Sequence, residues 1–247
     1  MDTGMRERLM TIYDLLYAAF GPQHWWPGDS ELEIVLGAVL TQNVAWSNVE
    51  KALFALKSRG LLSIPALAAL PASQLAEFLR PTRYYNQKAA RLQALVKMVQ
   101  DAFGGDLDRF LAQDTAVLRC TLLGLKGIGP ETADSIILYA ARRPLFVVDA
   151  YTRRIFSRLG LVEPHADYHH VQELFMANLP ADEPLFNEYH ALIVCLGKAV
   201  CLARNPRCAC CPLVNLCVQG REGRLEGGAS PDGRNPATKH ASRRNRR

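Results

Sequence analysis

The chain has 247 residues, 49% of them hydrophobic, enough to bury a real core in one large domain or two modest ones. No apolar run approaches the ~18 residues of a membrane span. The N-terminus (Met1-Asp2-Thr3-Gly4-Met5-Arg6-Glu7) has no apolar stretch behind a basic start, so neither a membrane protein nor a secretory signal is expected, and a cytoplasmic location is. The net charge of +5 lies in the tail, where Arg221–Arg247 carries eight Arg/Lys against three Asp/Glu and leaves the preceding body neutral.

In chain order the pattern is helical throughout. Leu9, Tyr13, Leu16 and Phe20 recur at helical spacing over 6–20, and Gly21-Pro22 stops them. Ser30-x-x-Glu33 and Ser47-x-x-Glu50 are capping-box signatures that predict helices over 32–40 and 49–56, the second ended by Gly60. Short helices are expected at 64–70 and 72–80, bounded by Pro65, Pro71 and Pro81. A long one follows over 85–103 with Ala89, Leu92, Leu95, Val96 and Val99 on its inner face, stopped by Gly104-Gly105. Further helices are predicted at 106–112, 115–123, 131–142, 151–159, 168–179 and 184–199. Leu145-Phe146-Val147-Val148 is the nearest approach to a strand and is too short, so it predicts a buried connector. The fold class is therefore all-α. The Gly/Pro/Asn-rich tail over 220–247 predicts a disordered basic arm, either adding sequence-independent attraction to phosphates or solvated without a partner.

Two stretches carry the chemistry. The first is Leu123-Gly124-Leu125-Lys126-Gly127-Ile128-Gly129-Pro130-Glu131-Thr132-Ala133-Asp134. Its apolar run, Gly-x-Gly turn and Pro at the start of a new helical pattern predict two helices joined by a hairpin with bare backbone, whose free N–H groups suit a phosphate. Asp149, in Val147-Val148-Asp149-Ala150-Tyr151, is a lone carboxylate between an apolar run and the next helix, open to a catalytic role and to that of helix N-cap. Lys88 and Arg153 are candidate phosphate contacts or plain solvated charges.

The second stretch is the cysteine frame Cys201-x6-Cys208-x2-Cys211-x5-Cys217. Cytoplasmic thiols stay reduced, which argues against disulfides, and zinc sites usually come as two close pairs with a longer spacer. Four thiolates in one short loop suit a cubane iron–sulfur cluster. Arg204 and Arg207 within it would face solvent or phosphate. Cys195 and Cys210 are spare or buried thiols, and Cys120 is expected to be a small core residue.

With hairpin, following aspartate and 6-2-5 cysteine loop in this order, residues 6–218 resemble the endonuclease III superfamily of DNA glycosylases. The resemblance implies two helical lobes, with the helix-hairpin-helix at their cleft and a [4Fe–4S] loop near the C-terminus. The implied lobes are 1–28 with 134–219, and 29–133. It places the hairpin on Lys126, Gly127, Ile128, Gly129 and Pro130, the catalytic aspartate on Asp149 and the cluster ligands on Cys201, Cys208, Cys211 and Cys217. Gln42 matches the glutamine that family members place near the space left by an extruded nucleotide.

Where bifunctional members carry a lysine that forms a Schiff base with the sugar, this chain has Glu131, which cannot be that nucleophile. Lys126 and Lys198 lie elsewhere. A monofunctional glycosylase with weak or absent strand cleavage is expected. Further similarity, in Glu131-Thr132-Ala133-Asp134, Val148–Arg154, Thr41–Trp46 and His24-Trp25-Trp26-Pro27, is to the branch that removes 3-methyladenine. Trp25, Trp26 and Trp46 would favour a cationic alkylated base by about 1–2 kcal/mol when desolvated, or are packing residues. The expected partner is double-stranded DNA containing a damaged base, bound by a monomer. The alternatives are a bifunctional endonuclease III acting on oxidised pyrimidines, and a DNA-binding module without catalysis.

Overall fold

A computed structural model describes residues 3–221. The predicted basic arm lies outside these residues except for Gly220 and Arg221, which continue a helical turn begun at residue 218. Among the described residues there is no strand, and the all-α expectation holds. The helices are α1 (Thr3–Phe20), α2 (Glu31–Leu40), α3 (Trp46–Lys57), α4 (Ile64–Ala69), α5 (Ala72–Leu79) and α6 (Tyr85–Phe103). They continue with α7 (Leu107–Leu111), α8 (Thr115–Leu123), α9 (Pro130–Ser135), α10 (Ala150–Arg158), α11 (Tyr168–Asn178) and α12 (Glu183–Ala199). Residues 142–149 form the expected connector, with Phe146, Val147 and Val148 buried.

The described chain divides into two units, one of residues 3–25, 148–180 and 187–221, the other of Trp26–Val147 and Ala181–Phe186. The sequence-based division had placed 134–147 with the cysteine loop. These residues stay with the other unit because Asp134 is held in an ion pair with Arg119 and Ile136, Ile137 and Ala140 enter that unit's core. There they meet α2, whose Val35, Leu36 and Val39 are buried in the same core as the predicted inner face of α6. The single helix expected over 131–142 is α9 followed by a π-helical turn, Ile136–Ala140, whose five residues are all buried. Five consecutive residues cover the whole circumference of such a turn, so their burial means that it is surrounded by packing on every side.

The first capping box forms in altered shape. Ser30 Oγ accepts from Glu33 N–H at 3.3 Å, while Glu33 reaches past the cap to accept from Asp29 N–H at 3.1 Å. The second does not form, since α3 begins at Trp46 behind Ala45 with no side-chain cap. Burial of Val49, Ala52, Leu53 and Leu56 sets that register and leaves Ser47 inside the first turn.

Lys88 corrects its expected role. It is 1% exposed, and Nζ donates to the carbonyls of Leu40 at 2.9 Å and Thr82 at 2.5 Å, closing the end of α2. Burial pushes its pKa down to about 8. No phosphate can reach it. Cys120 is also corrected, being exposed on α8.

In the other unit α1, α10, α11 and α12 enclose Leu9, Ile12, Leu16, Phe156, Phe175 and Tyr189, all fully buried. Phe156 and Phe175 meet edge to face at 4.7 Å, and Tyr189 Oη donates to Leu9 O at 2.8 Å, satisfying the buried phenol.

Candidate active site

The hairpin between α8 and α9 is built as its glycines require. Ile128 is buried and anchors it, leaving Lys126, Gly127 and Gly129 exposed. Gly127 has φ +89°, where an L side chain is strained, and a Cβ there would also displace the Arg91 side chain. Gly129 caps α9 with no side-chain bond, and Pro130, which has no N–H, opens it. Arg119 donates through Nε and Nη2 to Asp134 at 2.7 and 3.2 Å, tying α8 to α9. Gln42 is joined to the hairpin, donating to Thr132 Oγ1 at 2.7 Å and Gly127 O at 3.4 Å and accepting from Arg91 Nη1. Glu131 is exposed in the first turn of α9.

Asp149 combines the two roles the sequence left open. It caps α10, with Oδ1 accepting from Thr152 N–H at 2.7 Å and Thr152 Oγ1 at 3.0 Å. Its other oxygen, Oδ2, stands 3.7 Å from His190 Nε2 of α12. Asp149 is 8% and His190 5% exposed. Burial pushes the His190 pKa below the usual imidazole value; Asp149 opposes that shift and Lys198 adds to it. Burial raises the Tyr151 pKa, with Asp149 adding to it.

The tryptophans fall in both units. Trp26 and Trp46 meet edge to face at 5.3 Å over Gly37, whose Cβ would stand 3.0 Å from Trp26 Nε1, and both pack against the core. Tyr139 lies 5.1 Å from Trp26. Trp25 belongs to the unit of Asp149, with Lys198 Nζ 5.6 Å from its ring centroid. A cation of the protein's own thus lies over one of the faces expected to attract a charged base.

Cys201, Cys208, Cys211 and Cys217 line a single pocket with Arg158, Val200 and Val214. Arg158 Nη1 donates to Cys201 Sγ at 3.2 Å and Gly220 N–H to Cys217 Sγ at 3.3 Å. Burial, with a smaller contribution from the neighbouring thiols, pushes the Cys211 pKa up to about 11. Among the described residues no three His, Cys, Asp or Glu side chains are arranged to hold a metal ion. Cys210 is exposed outside this pocket, Cys195 is half-buried on α12, and Arg204 and Arg207 are exposed on the loop.

Several functional neighbours escape sequence reasoning. Arg91, Arg119 and His190 are single polar residues on helices, and nothing in their local pattern marks which side chain turns inward. Arg154 and Arg158 had a signal, being one turn apart on α10. Arg154 donates to the carbonyls of Cys201 and Gly197, and Arg158 to those of Leu202 and Ala203, fastening the helix that starts at Asp149 to the cysteine loop.

Fold and site together define an all-α protein with a backbone-presenting hairpin and a buried, helix-capping aspartate. The sequence pattern of the HhH-GPD superfamily of base excision DNA repair proteins matches residues 36–181. A Methanocaldococcus jannaschii protein, provisionally named a DNA repair glycosylase, is 42% identical over 213 residues, 86% of this chain and 96% of its own. The solved Helicobacter pylori 3-methyladenine DNA glycosylase bound to 1,N6-ethenoadenine is 31% identical at a TM-score of 0.67, covering 78% of this chain and 97% of that one. A non-covalent endonuclease III–DNA complex shares the fold at a TM-score of 0.78 and 24% identity, over 90% of this chain and 99% of that one. The chain belongs to the HhH-GPD superfamily of base excision DNA repair proteins, which bears out the endonuclease III resemblance; at that level it is a DNA repair glycosylase.

Proposed function

We propose that this protein hydrolyses the N-glycosidic bond of an alkylated purine such as 3-methyladenine, flipped out of double-stranded DNA, and leaves the strand uncut. The observation that carries this reading is the divided carboxylate of Asp149. Oδ1 is committed to capping α10, which fixes the side chain, and Oδ2 is the oxygen available to chemistry. As the glycosidic bond breaks, Oδ2 stabilises positive charge on the sugar ring or takes a proton from the attacking water. A cationic base already leaves readily, so no strong general acid is required. The exposed hairpin amides donate to phosphate oxygens and fix the register of the duplex, whose damaged nucleotide is extruded at a cost of a few kcal/mol.

Glu131 supports the monofunctional reading, since an acid at the position of the lyase lysine cannot form a Schiff base. The 31% identity to a 3-methyladenine glycosylase supports the substrate class. The residues proposed to contact the base are Gln42, Trp26 and Trp46 of the hairpin's unit and Trp25 of the unit of Asp149. The protein acts as a monomer in the cytoplasm.

The donor chemistry of the cysteine pocket supports a [4Fe–4S] cluster: Cys201, Cys208, Cys211 and Cys217 line one space, and N–H donors at Cys201 and Cys217 suit thiolate sulfur. Bound there, the cluster would crosslink residues 201–217. Arg154 and Arg158 would carry that rigidity to α10 through the loop carbonyls.

The test is single-turnover release of methylated bases from duplex DNA, with and without alkali. Release with strand breaks only after alkali is expected, and Asp149→Asn, which retains an Oδ1 acceptor for the cap, should abolish it. Release at the parental rate by that variant would overturn the assignment. A lyase reading has one observation in its favour, that Lys198 lies in the same unit as Asp149 and acts on the charge of His190. Borohydride trapping on DNA would reveal its covalent adduct.

A further inference from the structure

We propose that His190 is a positioning residue for base release, its Nε2–H holding Asp149 Oδ2 in the orientation that the sugar requires. The inference rests on Asp149 being the catalytic carboxylate and adds a residue to that site. A carboxylate capped through one oxygen can still swing its other oxygen about the side-chain bonds. Thr152 restrains Oδ1 twice, at 2.7 and 3.0 Å, and touches Oδ2 in neither contact. The group that faces Oδ2 is His190, 3.7 Å away and buried on α12. That separation is longer than a hydrogen bond, and a small rotation of either side chain closes it; such contacts commonly tighten only when substrate arrives.

The charge balance suits this role. The charged groups acting on His190 are Asp149 from α10 and Lys198 from its own helix. Burial and Lys198 favour the neutral ring, so at neutral pH the imidazole orients the carboxylate without cancelling its charge. Protonation in acid would convert the contact into an ion pair and draw Oδ2 away from the reacting sugar. The acid limb of the rate profile then belongs to the coupled Asp149–His190 pair rather than to one carboxylate.

The helix packing keeps the two groups at this spacing. A Cβ at Gly197 of α12 would collide with the Tyr151 ring of α10, and Arg154 bonds the Gly197 carbonyl while its guanidinium lies 5.1 Å from the Tyr151 centroid. α12 thereby approaches the first turn of α10 closely enough for His190 to reach the cap.

The test compares His190→Leu with His190→Gln, whose amide keeps an N–H near the position of Nε2. Single-turnover release is measured from pH 5 to 9 on whichever base the parental enzyme removes from a panel of alkylated, oxidised and deaminated DNAs. His190→Leu should lose about 10- to 100-fold in release rate, by analogy with the outer-shell partners that orient metal ligands. DNA affinity should be unchanged. His190→Gln should recover most of the rate but lose the histidine part of the acid limb. Equal rates and superimposable profiles for parental protein and His190→Leu would overturn the proposal, as would a His190→Gln variant that folds yet is as slow as His190→Leu. A readout independent of activity is the imidazole NMR titration: His190 should titrate below ordinary histidines and move further down in Asp149→Asn, and an unmoved value would break the proposed pairing. A panel from which the parental enzyme releases nothing would instead overturn the functional reading, while the titration still tests the pairing.

Discussion

Lys88 and Asp149 show how far one residue's environment departs from its local pattern. Lys88 stands beside the apolar face of α6, and only the carbonyls of Leu40 and Thr82 turn its ammonium inward. Its folded pKa of about 8 lies below the unfolded value of 10.5, so between these values the unfolded chain holds a proton that the native one lacks. Its contribution to stability should therefore rise as pH is raised from about 8 to 10.5. Urea unfolding at pH 7.5, 9 and 10 should show that rise in the parental protein and lose it in Lys88→Met, which also leaves two carbonyls unmet and should unfold about 1–3 kcal/mol more easily. For Asp149 the cap separates structure from chemistry: Asp149→Ala should cost about 1 kcal/mol of stability and Asp149→Asn much less, with base release lost in both.

At the scale of the element, the hairpin depends on a glycine in the left-handed region and on an ion pair whose partners must be changed together. Gly127→Ala adds a left-handed backbone penalty of about 1–2 kcal/mol and drives a methyl into Arg91, which also holds Gln42. The expected outcome is weaker binding to undamaged duplex DNA in a salt titration, with the catalytic unit's fold intact. Arg119→Ala strands the buried Asp134 carboxylate and should cost about 3–5 kcal/mol, whereas an Arg119→Leu, Asp134→Leu pair should recover much of it in thermal unfolding. The π-turn at Ile136–Ala140 belongs to the same logic: packing around α2 wins over regular helix geometry.

At the scale of the whole molecule, α10 links two kinds of site within one unit, beginning at Asp149 and ending at Arg158 in the cysteine pocket. Purified protein with a cluster should absorb near about 400 nm. Cys211→Ser should lose that band and lower the melting temperature, and Arg154→Ala should keep the band while loosening the loop's amide protection from hydrogen exchange.

The sequence by itself determined the helical class, the inner face of α6, the glycine hairpin, the exclusion of a lysine at position 131 and the grouping of four cysteines. Each of these depends on periodicity, backbone permissiveness or chemical identity, which are local properties. Only the tertiary structure decided that Lys88 is buried, that Cys120 is exposed, that α3 starts one residue before its apparent cap, and that residues 134–147 pack with the hairpin's unit. It also decided that Asp149 divides its oxygens between Thr152 and His190. Those outcomes rest on which side chain meets which neighbour across long sequence separations, where burial and hydrogen-bond satisfaction outweigh the few tenths of a kcal/mol in local propensity.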